Sequence, residues 1–100
     1  MSSSHPQQSS EDRWLLRLYI AGNTSRSKAA EQNLRRLCDE RLNGNYSLEI
    51  VDLLAEPDLA ERHRIFAVPT LVRENPEPRR KIIGDLSNEQ QVLTGLGLPR

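Results

Sequence analysis

An apolar run from Ile65 to Val72, interrupted by Pro69, is the feature that most constrains the fold of this chain. Proline has no backbone N–H to donate to a β-ladder, so it is confined to the start of a strand, an edge strand or a bulge. We therefore expect a loop to become a strand at Pro69, with the strand running from Thr70 to Arg73. The apolar residues of this strand predict that it is buried.

The first half of the chain has the pattern of a βαβ unit. Residues 14–20 show the period-two alternation of a β-strand, and residues 47–53 repeat it. Between them, residues 27–42 carry an apolar stripe at helical spacing, and Thr24 or Ser25 is suited to cap that helix. Strands joined by such a helix pair in parallel through a right-handed crossover.

The second half predicts two more strands and two shorter helices. Pro57 suits the first turn of a helix that ends near Arg64. The prolines within residues 74–78 predict a turn before a short strand at residues 81–84, so we expect an antiparallel hairpin with the preceding strand. A capping-box pattern, S-x-x-Q, begins at Ser87 and predicts the last helix.

That last helix is weakly specified. Gly95 and Gly97 each cost about 1 kcal/mol relative to alanine in a helix interior, and Val92 to Thr94 would also suit a strand. We expect Leu96 and Leu98, beside these glycines, to be poorly covered in a small domain whose sheet also has open edges. This predicts a homo-oligomer, a dimer or tetramer, at micromolar concentration.

Length and charge exclude several classes of protein. One hundred residues correspond to one domain, which we place at residues 13–100 after a polar tail at residues 1–12 that we expect to be disordered. The 14 basic and 14 acidic residues give no net field to attract nucleic acid or an anionic membrane. We find neither a membrane span nor the apolar core of a signal peptide, so we expect a cytoplasmic protein without nucleic-acid or membrane partners.

Few residues have the pattern of a catalytic or metal site. Cys38, the one cysteine, lies in mid-helix on the apolar stripe, which predicts a buried and unreactive thiol. His63 has no second histidine or cysteine at ligand spacing, so we expect it on a solvated helix face without a metal. Phosphate-binding glycine loops and nucleophile–base pairs are also missing from the sequence, so we expect no enzyme activity, no catalytic residue and no cofactor.

The order of elements, with Val68 and Pro69 at a corner, resembles the α/β thioredoxin-like fold: a βαβ unit followed by ββα. Redox members of that fold carry a cysteine motif between the first strand and the first helix, where residues 21–24 of this chain are Ala-Gly-Asn-Thr. This arrangement leaves one enzyme function open, that of a thioredoxin- or glutathione-transferase-like enzyme without the usual cysteine motif. A transferase of this kind would use the hydroxyl of Thr24 or Ser25. Transferases of this kind need a helical second domain, for which the chain has no residues.

Three strings carry a more specific resemblance. Residues 16–24 (LRLYIAGNT), 69–71 (PTL) and 82–88 (IIGDLSN) resemble the KaiB family of bacterial clock proteins, and the likeness extends from about Trp14 to Leu98. The resemblance implies a non-enzymatic regulator that binds a KaiC-type ring ATPase and modulates its phosphorylation and ATPase cycle. It also implies KaiA or a sensor histidine kinase as further partners.

The resemblance assigns roles to particular residues. It implies partner binding by Arg64, Arg80 and Lys81, and a structural cis-proline at Pro69. It also implies a metamorphic protein, whose resting subunits pack as tetramers with an alternative arrangement of the second half, while the partner-bound form is thioredoxin-like.

The chain also departs from the family pattern. Clock members usually carry aspartate where this chain has Gly97, and their counterpart of residues 72–78 is more apolar. These departures leave two roles open: a circadian clock, or a KaiB-like system of stress adaptation or timing.

Overall fold

The structure, a computed structural model, describes residues 13–98, so the tail expected at residues 1–12 lies outside the described residues. Within residues 13–98 the order of elements is β1 (Trp14–Ile20), α1 (Ser25–Leu42), β2 (Tyr46–Asp52), α2 (Asp58–Arg62), β3 (Thr70–Asn75), β4 (Arg80–Ile83) and α3 (Glu89–Leu96). The predicted α/β order, βαβ followed by ββα, is confirmed with small shifts at the boundaries.

The four strands form one mixed sheet in the order β2-β1-β3-β4. β1 and β2 are parallel, as expected for a crossover through α1, while β3 is antiparallel to both β1 and β4. β3 therefore lies inside the sheet, and β2 and β4 form its edges. β3 runs to Asn75, beyond the predicted end at Arg73, because Asn75 pairs with Leu15 after a register shift at Glu74 of β3.

Alternation along β1 divides the core between the two faces of the sheet. Leu16 and Leu18 belong to the larger cluster, which includes the apolar stripes of α1 and α3. Tyr19 projects to the opposite face and packs in a smaller cluster with Val51 and Val72. That cluster also includes Ile65, from the segment between α2 and β3, which therefore sits against the sheet.

Both glycines near the end of α3 have a structural reason. A Cβ atom at Gly95 would lie 2.8 Å from Cδ1 of Ile82, so the absence of a side chain allows α3 to pack closely on β4. Gly97 is the C-cap residue with φ of 73°, a left-handed conformation that glycine adopts without strain. The helical form of this segment therefore uses the residues that weakened its prediction.

Two expectations about α3 were wrong. The capping residue is Asn88, whose Oδ1 accepts the N–H of Gln91 at 3.1 Å, whereas the N–H of Ser87 donates to the Asp85 carboxylate. Leu96 and Leu98 are 0% and 4% exposed, because the helix turns its apolar stripe onto the sheet. These two leucines therefore provide no apolar surface for self-association.

A buried arginine fastens α3 to the sheet. The Arg73 guanidinium donates to the carbonyl oxygens of Leu96 and Pro78 and lies 5.1 Å from the centroid of the Trp14 ring. Burial, and secondarily the nearby charge of Arg80, lowers the pKa of Arg73. The side chain thus links β3, the turn after it and the C-terminus of α3.

Candidate partner-binding surface

The structure brings together two of the three residues expected to bind a partner. Lys81 is in β4, and its Nζ donates to the backbone carbonyl of Arg64 at 3.0 Å. Arg64 follows α2 with φ of 58°, so the chain turns sharply there and presents this carbonyl to the sheet edge. The hydrogen bond holds the segment after α2 against β4 and places both cationic residues on one surface.

Arg80 projects to the other face of the sheet. Arg80 pairs with Arg73 in the β3–β4 register, whereas Lys81 pairs with Val72. Side chains of directly paired residues share a face, and successive residues alternate. Arg80 therefore lies on the face of α3, and Lys81 on the face of α2.

Arg64, Arg80 and Lys81 form no ion pair with a carboxylate of residues 13–98. Their neighbour Arg79 behaves differently, since its Nε lies 3.2 Å from Glu74 Oε1. An exposed cation without an internal counter-charge is available to an acidic partner.

Two apolar residues extend this surface, and the sequence analysis did not identify either of them. Phe66, 88% exposed, lies two residues after Arg64, and Ile83, 61% exposed, lies two residues after Lys81. The signal for Phe66 was its position before Pro69, outside the strand that buries residues 70–72 of the apolar run. We call Arg64, Phe66, Lys81 and Ile83 the β4 surface.

A polar contact below the β4 surface positions the segment that carries Arg64. The Tyr19 hydroxyl, fully buried, is 2.8 Å from Nδ1 of His63, and the two rings meet edge to face. The expectation that His63 lies on a solvated helix face was wrong, because the chain turns its ring inward onto β1. The contact anchors the C-terminus of α2 to the centre of the sheet.

Pro69 lies where this segment enters β3. The Val68–Pro69 peptide bond is cis, as are the bonds that precede Pro76 and Pro78. The Pro69 carbonyl accepts the N–H of Gly84 at 2.9 Å, which extends the pairing between β3 and β4 beyond Ile83. Pro69 thus borders both the β4 surface and the start of the buried strand.

Redox members of the thioredoxin-like fold carry their cysteines between β1 and α1. In this chain that place borders a groove of about 500 Å³, which is lined by Ala21, residues 24–27, Val68 and Pro69. The Thr24 hydroxyl is engaged there, since it accepts the Ser27 N–H at 3.1 Å and caps α1. Cys38 lies elsewhere, buried in α1, and burial raises its pKa to about 12.

Two further features are missing from residues 13–98. That part of the chain contains no group of three histidine, cysteine, aspartate or glutamate residues arranged to hold a metal ion. It also contains no helix with the length and hydropathy needed to cross a membrane.

Comparison with solved structures shows a thioredoxin-like fold. The N-terminal domain of SasA from Synechococcus elongatus matches with a TM-score of 0.69 and 22% identity, over 85% of this chain and 84% of that domain. Mitochondrial thioredoxin 3 from Saccharomyces cerevisiae matches with a TM-score of 0.67 and 21% identity, over 91% of this chain and 83% of the thioredoxin.

Comparison of sequences is more specific. Circadian clock protein KaiB3 of Synechocystis is 46% identical over 87 residues, which cover 87% of this chain and 85% of that protein. The circadian clock oscillator protein KaiB of Microcystis aeruginosa is 47% identical over 85 residues, 85% of this chain and 82% of the relative. The sequence model of the KaiB domain matches residues 17–98. The chain therefore belongs to the KaiB domain family.

Proposed function

We propose that this KaiB-family chain is a non-enzymatic clock regulator that binds a KaiC-type ring ATPase and modulates its ATPase and phosphorylation cycle. The observation that carries the proposal is the pairing of Lys81 Nζ with the Arg64 carbonyl. It holds two cations that have no carboxylate partner among residues 13–98 on one surface of a chain whose relatives are named circadian clock proteins.

The composition of the β4 surface supports binding to an acidic and partly apolar site. Complementary charge speeds encounter and fixes register, while burial of apolar side chains contributes affinity. Lys81 and Arg64 supply the charge, and Phe66 and Ile83 supply the apolar area. Arg80, on the opposite face of β4, would touch the same partner only if that partner wraps around the sheet edge.

The groove beside α1 supports regulation rather than catalysis. A thiol nucleophile requires exposure and a lowered pKa, whereas Cys38 is buried with a raised one. The Thr24 hydroxyl, one of the two that the alternative enzyme could use, is committed to capping α1. The chain would therefore act by stoichiometric binding. We also propose that it acts in the cytoplasm, with KaiA or a sensor histidine kinase as further partners. The system would be a clock or a KaiB-like stress or timing system.

Copurification from the host tests this proposal. An affinity-tagged chain incubated with host lysate should retain a KaiC-type ring ATPase, and adding the purified chain should change the rate of ATP hydrolysis by that ATPase. The double substitution Arg64→Glu/Lys81→Glu should lose both effects. Arg35→Glu is the matched control, because Arg35 is exposed on α1 and pairs only with Glu31 among the described residues. A purified ATPase that is neither retained nor altered in rate would contradict the proposal.

A further inference from the structure

The outer edge of β4 presents unpaired backbone groups. The hydrogen bond from the Gly84 N–H to the Pro69 carbonyl makes these residues a bonded pair of the β3–β4 ladder. Bonded and non-bonded pairs alternate along an antiparallel ladder, so Ile82 is bonded to β3 while Lys81 and Ile83 are not. The backbone N–H and C=O of Lys81 and Ile83 therefore point away from β3, out of the sheet.

Nothing within residues 13–98 covers these outward groups. The sheet ends at β4, and the outward N–H and C=O groups of Lys81 and Ile83 have no hydrogen-bond partner in the described part of the chain. Two residues with outward N–H and C=O groups can accept a further strand through four backbone hydrogen bonds.

β4 lacks three of the usual protections of an edge strand. Edge strands are commonly blocked by a proline, a bulge or an inward-pointing charge. The residues of β4 are Arg-Lys-Ile-Ile, and their register with β3 is regular over all four positions. The short length of β4 and the charges of Arg80 and Lys81 discourage general pairing, but the exposed Ile83 favours contact with another chain of opposite charge.

The charges of this edge select the partner. Lys81 lies on one face of β4 and Arg80 on the other, and neither pairs with a carboxylate among residues 13–98. Pairing of two β4 edges from two copies of the chain would bring like charges together, which is unfavourable. An added strand with carboxylates opposite both residues would instead form cross-strand ion pairs on both faces.

We propose that the β4 edge binds an extended acidic segment of a partner protein by strand addition. An antiparallel segment would carry an apolar residue opposite Ile83, any residue opposite Ile82, and glutamate or aspartate opposite Lys81 and Arg80. The inference rests on the proposed function in one respect, since Lys81 belongs to the surface assigned to the ring ATPase.

A fluorescein-labelled peptide containing the sequence Gly-Ser-Val-Thr-Glu-Glu-Val-Gly is the probe, with a control peptide in which both glutamates are lysine. Fluorescence anisotropy should show binding of the acidic peptide and not of the control. Amide exchange measured by NMR on the full chain should slow at Lys81 and Ile83 when the acidic peptide binds. The amide of Ile82, already bonded to β3, is the internal reference.

Three substitutions separate the contribution of the backbone hydrogen bonds from that of the charge. Ile83→Pro removes one outward N–H without removing a bond to β3 and should weaken binding about tenfold, whereas Ile83→Ala keeps that N–H and should cost less. Lys81→Glu should weaken the acidic peptide about tenfold and allow the lysine peptide to bind. Unchanged circular dichroism would show that each variant is folded.

Equal binding of the two peptides, or slowed exchange confined to the β2 edge, would overturn the inference. The peptide experiment and the ring-ATPase experiment test the two proposals separately. Peptide binding with no ring ATPase retained would support strand addition and contradict the proposed function. A retained ATPase with no peptide binding would do the reverse.

Discussion

Burial controls the chemistry of Cys38 at the scale of single residues. The thiol lies in the core on α1, and burial raises its pKa to about 12, so it stays protonated at neutral pH. We expect insulin reduction with dithiothreitol to proceed at the same rate with the unmodified protein and with Cys38→Ser. A thiol-dependent excess with the unmodified protein would instead support the enzyme alternative.

Asp52 couples stability to pH at the same scale. Its Oδ1 accepts the N–H groups of Gly22 at 3.0 Å and Leu54 at 2.9 Å, and these hydrogen bonds, that of Gly22 first, lower the pKa of Asp52. A carboxylate with a depressed folded pKa contributes stability that is present above its unfolded pKa and lost as pH falls through the folded value.

Asp52→Asn should therefore unfold at lower urea concentration than the unmodified protein at pH 7. The difference should close below about pH 4, the usual range of an aspartate. Glu40→Gln, on the exposed side of α1, is the control and should change the urea midpoint little. A difference that is constant from pH 7 to pH 3 would show that the charge of Asp52 is not responsible.

The residues show what sequence can and cannot predict. Alternation along a strand separates Arg80 from Lys81, but the family resemblance assigned both residues the same partner-binding role. The contact between Tyr19 and His63 joins positions 44 apart in the chain. It depends on the turn at Arg64, for which a non-glycine residue at positive φ gives no local signal.

At the scale of elements, α3 was the least certain part of the fold because its local propensity is divided. Its helix is decided by tertiary contacts: Gly95 permits close packing on β4, and Arg73 binds the carbonyl of Leu96. Both contacts come from strands earlier in the chain. The local pattern therefore predicted the helix, but it could not predict the tertiary contacts that stabilise the helix.

Gly95→Ala tests this packing. Alanine gains about 1 kcal/mol of helix propensity, but its Cβ would lie 2.8 Å from Cδ1 and 3.1 Å from Cγ1 of Ile82, which is buried. We expect a net loss of about 1 kcal/mol in the free energy of unfolding. Ile82→Val removes Cδ1, so the same glycine substitution should be neutral or stabilising in that background. A urea double-mutant cycle measures both, and a coupling energy near zero would contradict the account.

For the whole molecule, the element order and the corner at Pro69 were sufficient to predict the thioredoxin-like arrangement. The β4 surface was predicted only in part, because Phe66 owes its exposure to the three-dimensional path of the segment before β3, and Ile83 owes its exposure to its place on the edge strand β4. Fold switching of the second half and the alternative ground-state arrangement stay predictions from the family resemblance. A thioredoxin-like form populated at ~1% would weaken apparent binding about a hundredfold.

Self-association is a further prediction at this scale. Leu96 and Leu98 no longer support it, but the β2 edge of the sheet and the exposed apolar residues Leu54, Phe66 and Ile83 do. We expect dimers or tetramers at micromolar concentration, because a sheet edge and exposed apolar side chains favour contact with another copy, whereas pairing of two β4 edges would bring like charges together. Sedimentation velocity measures this, and a monomer alone up to ~100 μM would contradict it.

We propose Arg64 and Lys81 as the residues that bind a KaiC-type ring ATPase. The most direct test is the equilibrium affinity of the purified ATPase, immobilised on a sensor surface, for four proteins: the unmodified chain, Arg64→Glu/Lys81→Glu, Lys81→Arg and Arg35→Glu. We predict that the double charge reversal weakens binding tenfold or more, by the order expected for charge pairs at an interface. Lys81→Arg and Arg35→Glu should stay within about twofold of the unmodified chain, because neither removes a charge from the β4 surface. Equal affinity of the double variant and the unmodified chain, with both folded by circular dichroism, would contradict the claim.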